Sequence, residues 1–267
     1  MSPQAVSPRI WRIAAPLLVG AAFLGLWQGA TWLFAIRPYI LPPPSAVAAS
    51  LWTDGPSLLL SLLVTLRVTL AALFAAAMLG GALALLFSLS RIVELSLFPY
   101  AVILQVTPVV SIAPLIIIWV RDPFAALLVC AWIVAFFPIV SNTTLGLNSA
   151  DRNLLALFRL YGASPGQTLW HLRVPTALPY FLAGLRISGG LALIGAVVAE
   201  FVAGTGGSET GLAFRILEAG YLLKTARLFA ALFLLSVTGI VIYFVLDLLS
   251  RLILRHWHES AVAGEEE

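Results

Sequence analysis

Charge, cysteine and strand-like alternation are all scarce in this sequence, and each scarcity removes a class of protein. Only 10% of its 267 residues are Asp, Glu, Lys or Arg, against roughly a quarter in an ordinary soluble domain. That deficit, with a hydrophobic share of 61%, excludes a soluble globular fold. The single cysteine, Cys130, rules out an intrachain disulfide and a cysteine metal cluster, and its apolar surroundings make it core filling. Segments of about ten residues with alternating polarity, the signature of a membrane β-barrel, are missing. An all-α integral membrane protein remains. Runs such as residues 13–36 reach the roughly 20 apolar residues that a helix needs to cross a bilayer.

Nucleotide and hydrolytic chemistry are missing too. The Gly-rich stretch 204–211 lacks the Lys-Ser/Thr that closes a phosphate-binding loop, and Glu209 stands where G-x-G-x-x-G needs its last glycine. Gly162-Ala163-Ser164-Pro165-Gly166 spells G-x-S-x-G, but no strand precedes it. Pro165 also has no N–H to offer an oxyanion. The chain is therefore expected neither to be an enzyme nor to bind a cofactor. His256 and His258 lack further ligands, so no metal site is expected.

Six spans are predicted, at about 13–36, 59–87, 95–120, 123–141, 181–203 and 228–250. The first follows Arg9 and Arg12, yet its apolar stretch is too long for a signal peptide and ends without an A-x-A-like site, so it is read as a retained span. An even count puts both termini on one side. With the termini in the cytoplasm, Arg9, Arg12, Arg91, Arg152, Arg159, Arg173, Arg251 and Arg255 lie inside, while Arg37, Arg121, Arg215, Lys224 and Arg227 lie outside. This excess agrees with the positive-inside rule and accounts for the net charge of +3 without nucleic acid.

The third span carries Pro99, Pro108 and Pro114 and should be kinked or broken. Broken backbone at membrane depth is tolerated where it packs in protein or lines a wet cavity, so Gln105, Thr107 and Ser111 are candidates for a pathway wall; a lipid-facing kink is the alternative. In the fifth span Gly184, Ser188, Ala192 and Ala196 recur every four residues, a ridge that lets another helix approach closely. Ionisable residues within spans are Arg67, Arg186, Glu200 and Asp247. Arg186 and Asp247 lie near span ends and are expected to snorkel or face headgroups, with a transport role as the alternative, while Glu200 either pairs structurally or rims a cavity. After Gly-rich residues 204–211, Leu212, Ile216, Leu217 and Tyr221 define one face of an amphipathic helix. "LPPPSAVAASLW" reads as an elbow in which Ser45 caps a helix.

The longest polar interruption, roughly 142–180, contains two short helices joined by a turn. Asp151 caps the first and Gly162 ends it; Ser164-Pro165 starts the second and Pro175 is expected to stop it. A helical knob follows, whose exposed apolar residues, such as Leu169 and Trp170, are suited to a groove on another protein; a knob folded onto its own bundle is the alternative.

Here the sequence resembles the permease subunits of ABC importers, whose loop reads E-A-A, three residues, G, nine residues, I-x-L-P. Gly162 fits the glycine, and Leu172-Arg173-Val174-Pro175 fits I-x-L-P with conservative changes. "LPPPSAV", "PVVSIAPLIIIW", "FFPIVSNTTLGL", "ALPYFLAGLRI", "VVAEF" and "GLAFRILEAG" are similar to the branch that handles nitrate, sulfonates, taurine, riboflavin and thiamine precursors. The resemblance covers roughly residues 40–255. Two departures stand out: Ala156-Leu157-Phe158 occupies the E-A-A positions, without the acid, and "IIIWVRDPFAALL" is shorter than the family's stretch.

The resemblance implies a six-span type I importer domain in the bacterial inner membrane. It places an N-terminal tail, first span and elbow at 1–58, the permease domain at 59–253 and a polar tail at 254–267. It implies a homodimer or heterodimer of permease chains in membrane lipid, two ATP-binding subunits, and an extracytoplasmic solute-binding protein. Coupling to the ATPase would rest on Gly162, Ala163, Leu172 and Pro175. Gln105, Thr107, Asn142 and Glu200 are the translocation-path candidates. Residues "GAVVAEFVAGTGG" lean the cargo toward a pyrimidine or flavin-like solute over a sulfonate. The alternative is a gradient-driven transporter or channel, which would need buried ion sites and usually internal repeats. An intramembrane enzyme is the third possibility.

Overall fold

The computed structural model describes residues 8–203 and 210–255, and among them every regular element is helical. The glycines of 204–209, His256, His258 and the polar tail lie outside the described residues. The helices are α1 (Pro8–Leu33), α2 (Pro44–Thr53), α3 (Gly55–Leu89), α4 (Arg91–Val106), α5 (Val109–Trp119) and α6 (Pro123–Asn148). They are followed by α7 (Arg152–Leu160), α8 (Pro165–Thr168), a π-helical turn (Leu169–Arg173), α9 (Val174–Ala203), α10 (Leu212–Tyr221) and α11 (Thr225–Leu254). Five helical stretches are long and apolar enough to cross a membrane, and α4 with α5 makes a sixth if that bent pair is one span. By contacts the chain divides into two units, one comprising the chain to Leu60 with Arg215–Leu234, the other Ser61–Phe214 with the residues from Leu235 on.

In the first unit the elbow departs from expectation. Pro44 is the first residue of α2, and the prolines' fixed φ, not a Ser45 cap, starts the helix. The Ser45 N–H instead donates to the Gln28 side chain at 3.2 Å, so α1 supplies the acceptor that a cap would have supplied. The beginning of α11 is fastened to the same elbow. Thr225 Oγ1 donates to the Tyr39 carbonyl at 2.8 Å, Arg227 lies 3.9 Å from Asp54, and the Trp27 and Phe229 rings sit 5.7 Å apart.

In the second unit the organising contact runs between α6 and α9. Gly184, Ser188, Ala192 and Ala196 are all buried. A Cβ on Gly184 would lie 2.9 Å from the Pro138 carbonyl oxygen, and one on Gly195 2.8 Å from the Ala131 Cα. Ser188 Oγ donates to the Ala135 carbonyl at 2.6 Å. Lipid tails are as apolar as leucine, so close van der Waals packing and interhelical hydrogen bonds hold these helices together rather than escape from water. The second layer behind this seam comes from α3 and α5. Val68, Ala72, Ala113 and Ile116 surround Cys130, which is core filling. Phe98 of α4 meets Phe87 of α3 edge-on and Phe137 of α6 at a tilt, with ring centres 6.3 and 6.0 Å apart.

The third span is broken at one of its three prolines. Pro99 and Pro114 lie inside α4 and α5, while the chain turns by 102° at Thr107-Pro108. Thr107 is extended, with ψ of 121°, as the Pro ring demands of its predecessor, and Pro108 itself is extended too, with ψ of 109°.

Arg186 and Asp247 do not snorkel separately. They pair at 2.6 Å, Asp247 also accepts from Arg251 at 2.9 Å, and the Arg186 guanidinium lies over the Tyr243 ring at 5.8 Å. The pairing follows from geometry: Gly189 fits against Ile242 and Leu246, bringing α9 and α11 close enough for one turn on each to meet. In α10 the buried face is Leu212, Ala213, Ile216 and Ala219, whereas Tyr221 is exposed.

The seam makes a direct prediction. Gly184→Ala should cost about 1–3 kcal/mol through overpacking, whereas Gly190→Ala, where nothing lies within 4 Å, should stay within about 0.5 kcal/mol of wild type. Thermal unfolding of the two variants in detergent checks this, and equal midpoints would show that the seam can relax.

Candidate functional site: a capped knob on a continuous helix

The segment after α6 is built by local rules. Asp151 Oδ1 accepts the amides of Asn153 at 2.7 Å and Leu154 at 3.2 Å, which starts α7. The end of α7 is a Schellman closure: the Gly162 amide donates to the Arg159 carbonyl and the Ala163 amide to the Phe158 carbonyl, at 3.0 and 2.9 Å. Gly162 has φ of +70°, a left-handed conformation that costs a side chain-bearing residue roughly 1–2 kcal/mol. Ser164 and Gln167 then form a reciprocal capping box, with Pro165 in the first helical position. The Ser164 hydroxyl accepts from the Gln167 amide at 3.2 Å, which makes it a cap and not a nucleophile.

Pro175 does not stop the second helix. The chain runs as one helical stretch from Pro165 to Ala203, 39 residues long. The continuity comes from the π turn: the Val174 amide reaches back to the Leu169 carbonyl, five residues earlier, just before the proline. This register shift absorbs the hydrogen bond that Pro175 lacks. Thr176 Oγ1 donates to the Leu172 carbonyl at 2.7 Å and ties down the next turn.

The base of the knob is rigidly seated. Leu169 is not exposed for docking as the sequence suggested: like Leu172 it is buried, and it packs with Ala84, Leu147 and Ala177. A Cβ on Gly146 would lie 2.8 Å from the Ala177 Cα. Arg173 donates to the Ser88 carbonyl at 3.2 Å, where its charge also complements the C-terminal end of α3. Trp170 is exposed, as are Leu160 and Tyr161. Of the four loop residues singled out in the sequence, Leu172 anchors the base, Gly162 and Ala163 form the closure, and Pro175 sits inside the helix.

The other candidates do not converge on one place. Gln105 is exposed beside the α4–α5 break, where Thr107 Oγ1 donates to the Ile103 carbonyl at 2.6 Å. Ser111 is exposed on α5. Asn142 Nδ2 donates to the Pro138 carbonyl at 2.8 Å, and its Cβ lies against Gly184 in the α6–α9 seam. Glu200 is only 4% exposed and accepts the Ala213 amide at 3.0 Å, at the first turn of α10. Its carboxylate lies against Gly211, where no side chain would fit. Thr65 completes this clasp by accepting the Leu212 amide at 2.8 Å. Thr65 was not singled out from the sequence. Its signal was there, because Ser61, Thr65 and Thr69 recur every four residues on α3 and all are buried.

The model for the binding-protein-dependent transport system inner membrane component matches residues 73–257. The chain belongs to that family. It is thus a multi-pass inner-membrane permease of an ABC importer, a transport subunit without a catalytic role of its own, and its family works with an ATPase and a binding protein. The permease is 35% identical over 236 residues to a probable ABC transporter permease protein of Haemophilus influenzae, covering 88% of this chain and 95% of that one. It is 33% identical to the riboflavin transport system permease RibX of Chloroflexus aurantiacus, over 96% and 97%. It is 30% identical to the formylaminopyrimidine transport permease ThiX of Halalkalibacterium halodurans, over 92% and 97%. The fold matches a crystal structure of an amino acid ABC transporter with histidines, with TM-score 0.62 at 17% identity over 78% of this chain and 97% of that one. An inward-facing MetNI methionine ABC transporter matches with TM-score 0.58 at 19% identity, over 80% and 98%.

The clasp in the permease can be tested apart from transport. Glu200→Ala should remove the acceptor at the first turn of α10, at a cost of about 1–3 kcal/mol for the amide left behind. Hydrogen exchange at residues 212–215 should accelerate about tenfold or more, and unchanged protection would show that Glu200 does not hold this turn.

Proposed function

We propose that the permease imports a small organic solute as one member of a twofold pair, homodimeric or heterodimeric, with both termini and the knob in the cytoplasm. Two ATP-binding subunits engage the two knobs, and an extracytoplasmic binding protein delivers the solute. The observation that carries this reading is the joined geometry of the loop: a closed, Gly162-hinged α7 at its tip, a buried Leu172 at its base, and a helix that continues unbroken past Pro175 to Ala203. Movement imposed on the knob is thereby passed to a helix that crosses the membrane. ATP binding would draw the knobs together and bias the bundle toward its outward-open state, with hydrolysis resetting it.

Gln105 and Thr107, at the broken third span, are the stronger candidates for the solute path. Asn142 and Glu200 serve it indirectly, Asn142 through the seam and Glu200 through the clasp. The cargo is a heteroaromatic molecule of pyrimidine or flavin type. Support comes from relatives whose printed substrates are riboflavin and formylaminopyrimidine, matched over nearly the whole chain.

Copurification of the full-length chain with its ATPase, followed by binding-protein-stimulated ATP hydrolysis in proteoliposomes, tests the coupling. Gly162→Val should lower stimulated hydrolysis about tenfold, because a β-branched residue resists φ of +70°, while Gly162→Asn should retain most of it. Equal activity of the two variants would sink the role assigned to this hinge. Riboflavin or formylaminopyrimidine should be taken up and taurine should not; the reverse would overturn the cargo assignment.

A further inference from the structure

The knob's charge has a sense as well as a size. Its only acidic residue between 151 and 175 is Asp151, and that carboxylate is occupied by the two amides that start α7. Arg152, Ala156 and Arg159 stand at i, i+4 and i+7, so they share one flank of the helix, and all three are exposed. Neither arginine has an ion-pair partner among the described residues. Arg159 also lines a cavity of about 260 Å³ with Ser88, Thr168 and Arg173. Arg173 is turned onto the Ser88 carbonyl, which leaves the Arg159 guanidinium to whatever enters.

On the reading that this knob docks on the ATPase, we infer that the ATPase meets it with acidic side chains, one of them entering the cavity beside Arg159. The contact is then charge-inverted relative to a loop that carries Glu where this chain has Ala156. Solvent alone satisfies most exposed arginines. Here two of them flank the very position from which the acid is missing, beside a cavity open to a partner.

The remaining surface of α7 argues for a protein partner over a lipid one. Leu155 and Phe158 are half-buried and face the permease, whereas Leu154, Leu157 and Tyr161 are exposed. At about 100° per residue that apolar flank and the cationic flank are on nearly opposite sides of the helix. Inserting the apolar flank in a bilayer would point the arginines away from the headgroups. A groove that wraps the helix reaches both flanks at once, and burial beside apolar contacts strengthens the charge pairs.

The full-length permease in detergent and its separately purified cognate ATPase subunit provide the test. Arg159→Glu should weaken association about tenfold or more and Arg159→Gln by less. The wild-type affinity should fall with added salt more steeply than that of either variant. Ala156→Glu, which restores the family's acid, should weaken association too. Tighter binding by Ala156→Glu, or affinities indifferent to both positions, would overturn the acidic-groove assignment. So would an Arg159→Glu variant that keeps its ATPase affinity but loses binding to vesicles containing phosphatidylglycerol, which would assign the stripe to lipid. Failure of the wild-type permease to bind the ATPase at all would instead remove the coupling reading itself, and this inference with it.

Discussion

Everything in the larger unit depends on how closely α6 and α9 approach. Bilayer and protein interior are equally apolar, so these helices gain little by burying leucines against one another; they gain by contact density, which only small residues allow. Gly184, Ser188, Ala192, Gly195 and Ala196 provide that approach, and the Ser188 hydroxyl adds an interhelical hydrogen bond to the Ala135 carbonyl. The knob inherits its position from the same contact, because α9 continues into it and α6 leads up to it. Gly146, near the end of α6, brings that helix against Ala177 and Tyr180 and closes the seam at the level of the knob.

Charge is arranged by the same economy. Where α9 meets α11, Arg186 and Asp247 neutralise each other, so that two ionisable residues in apolar helices do not each demand water. At the other end of α9 the Glu200 carboxylate accepts the Ala213 amide of α10, where the partial positive charge of a helix start favours it. The knob differs, with exposed arginines that no carboxylate among the described residues answers. Arg186, Asp247 and Glu200 thus find partners within the helices, whereas the knob displays its charge where the chain projects.

What could be read from the sequence was what depends on near neighbours. The Asp151 and Ser164 caps and the Gly162 stop are local chemistry, and the four-residue ridge of α9 is a period that survives into the packed structure. Ser45 misled because its helix takes its acceptor from Gln28, 17 residues earlier. Pro175 misled because a proline shows which hydrogen bond is absent but not that a shift from four to five residues can absorb the loss. Pro99, Pro108 and Pro114 look alike in one dimension, yet only Pro108 follows a residue that the structure lets go extended. The buried face of α10 was misjudged by about a sixth of a turn, since Leu212 and Ile216 are shared by both possible faces and only packing decides between Tyr221 and Ala219. The Ser61, Thr65 and Thr69 period was legible but Thr65's partner was not, because the chain after the glycine-rich stretch returns to α3 only through tertiary packing.

The stretch from Pro165 to Ala203 is 39 residues long, and at about 1.5 Å per residue it measures roughly 58 Å, nearly twice the hydrocarbon thickness of a bilayer. Held by α6 at Ala177, Gly184 and Gly195, it would move only together with α6, the pair tilting as a lever about the level of Gly184. The arm on the knob side is about 30 Å, so a tilt of roughly 10° there sweeps the tip through about 5 Å, the pitch of one helical turn. A displacement of that size at one face of the membrane corresponds to a smaller and opposite one at the Glu200 end. Two openings on opposite sides of the bilayer can in this way be made mutually exclusive by a single rigid element, with no signal passed from residue to residue.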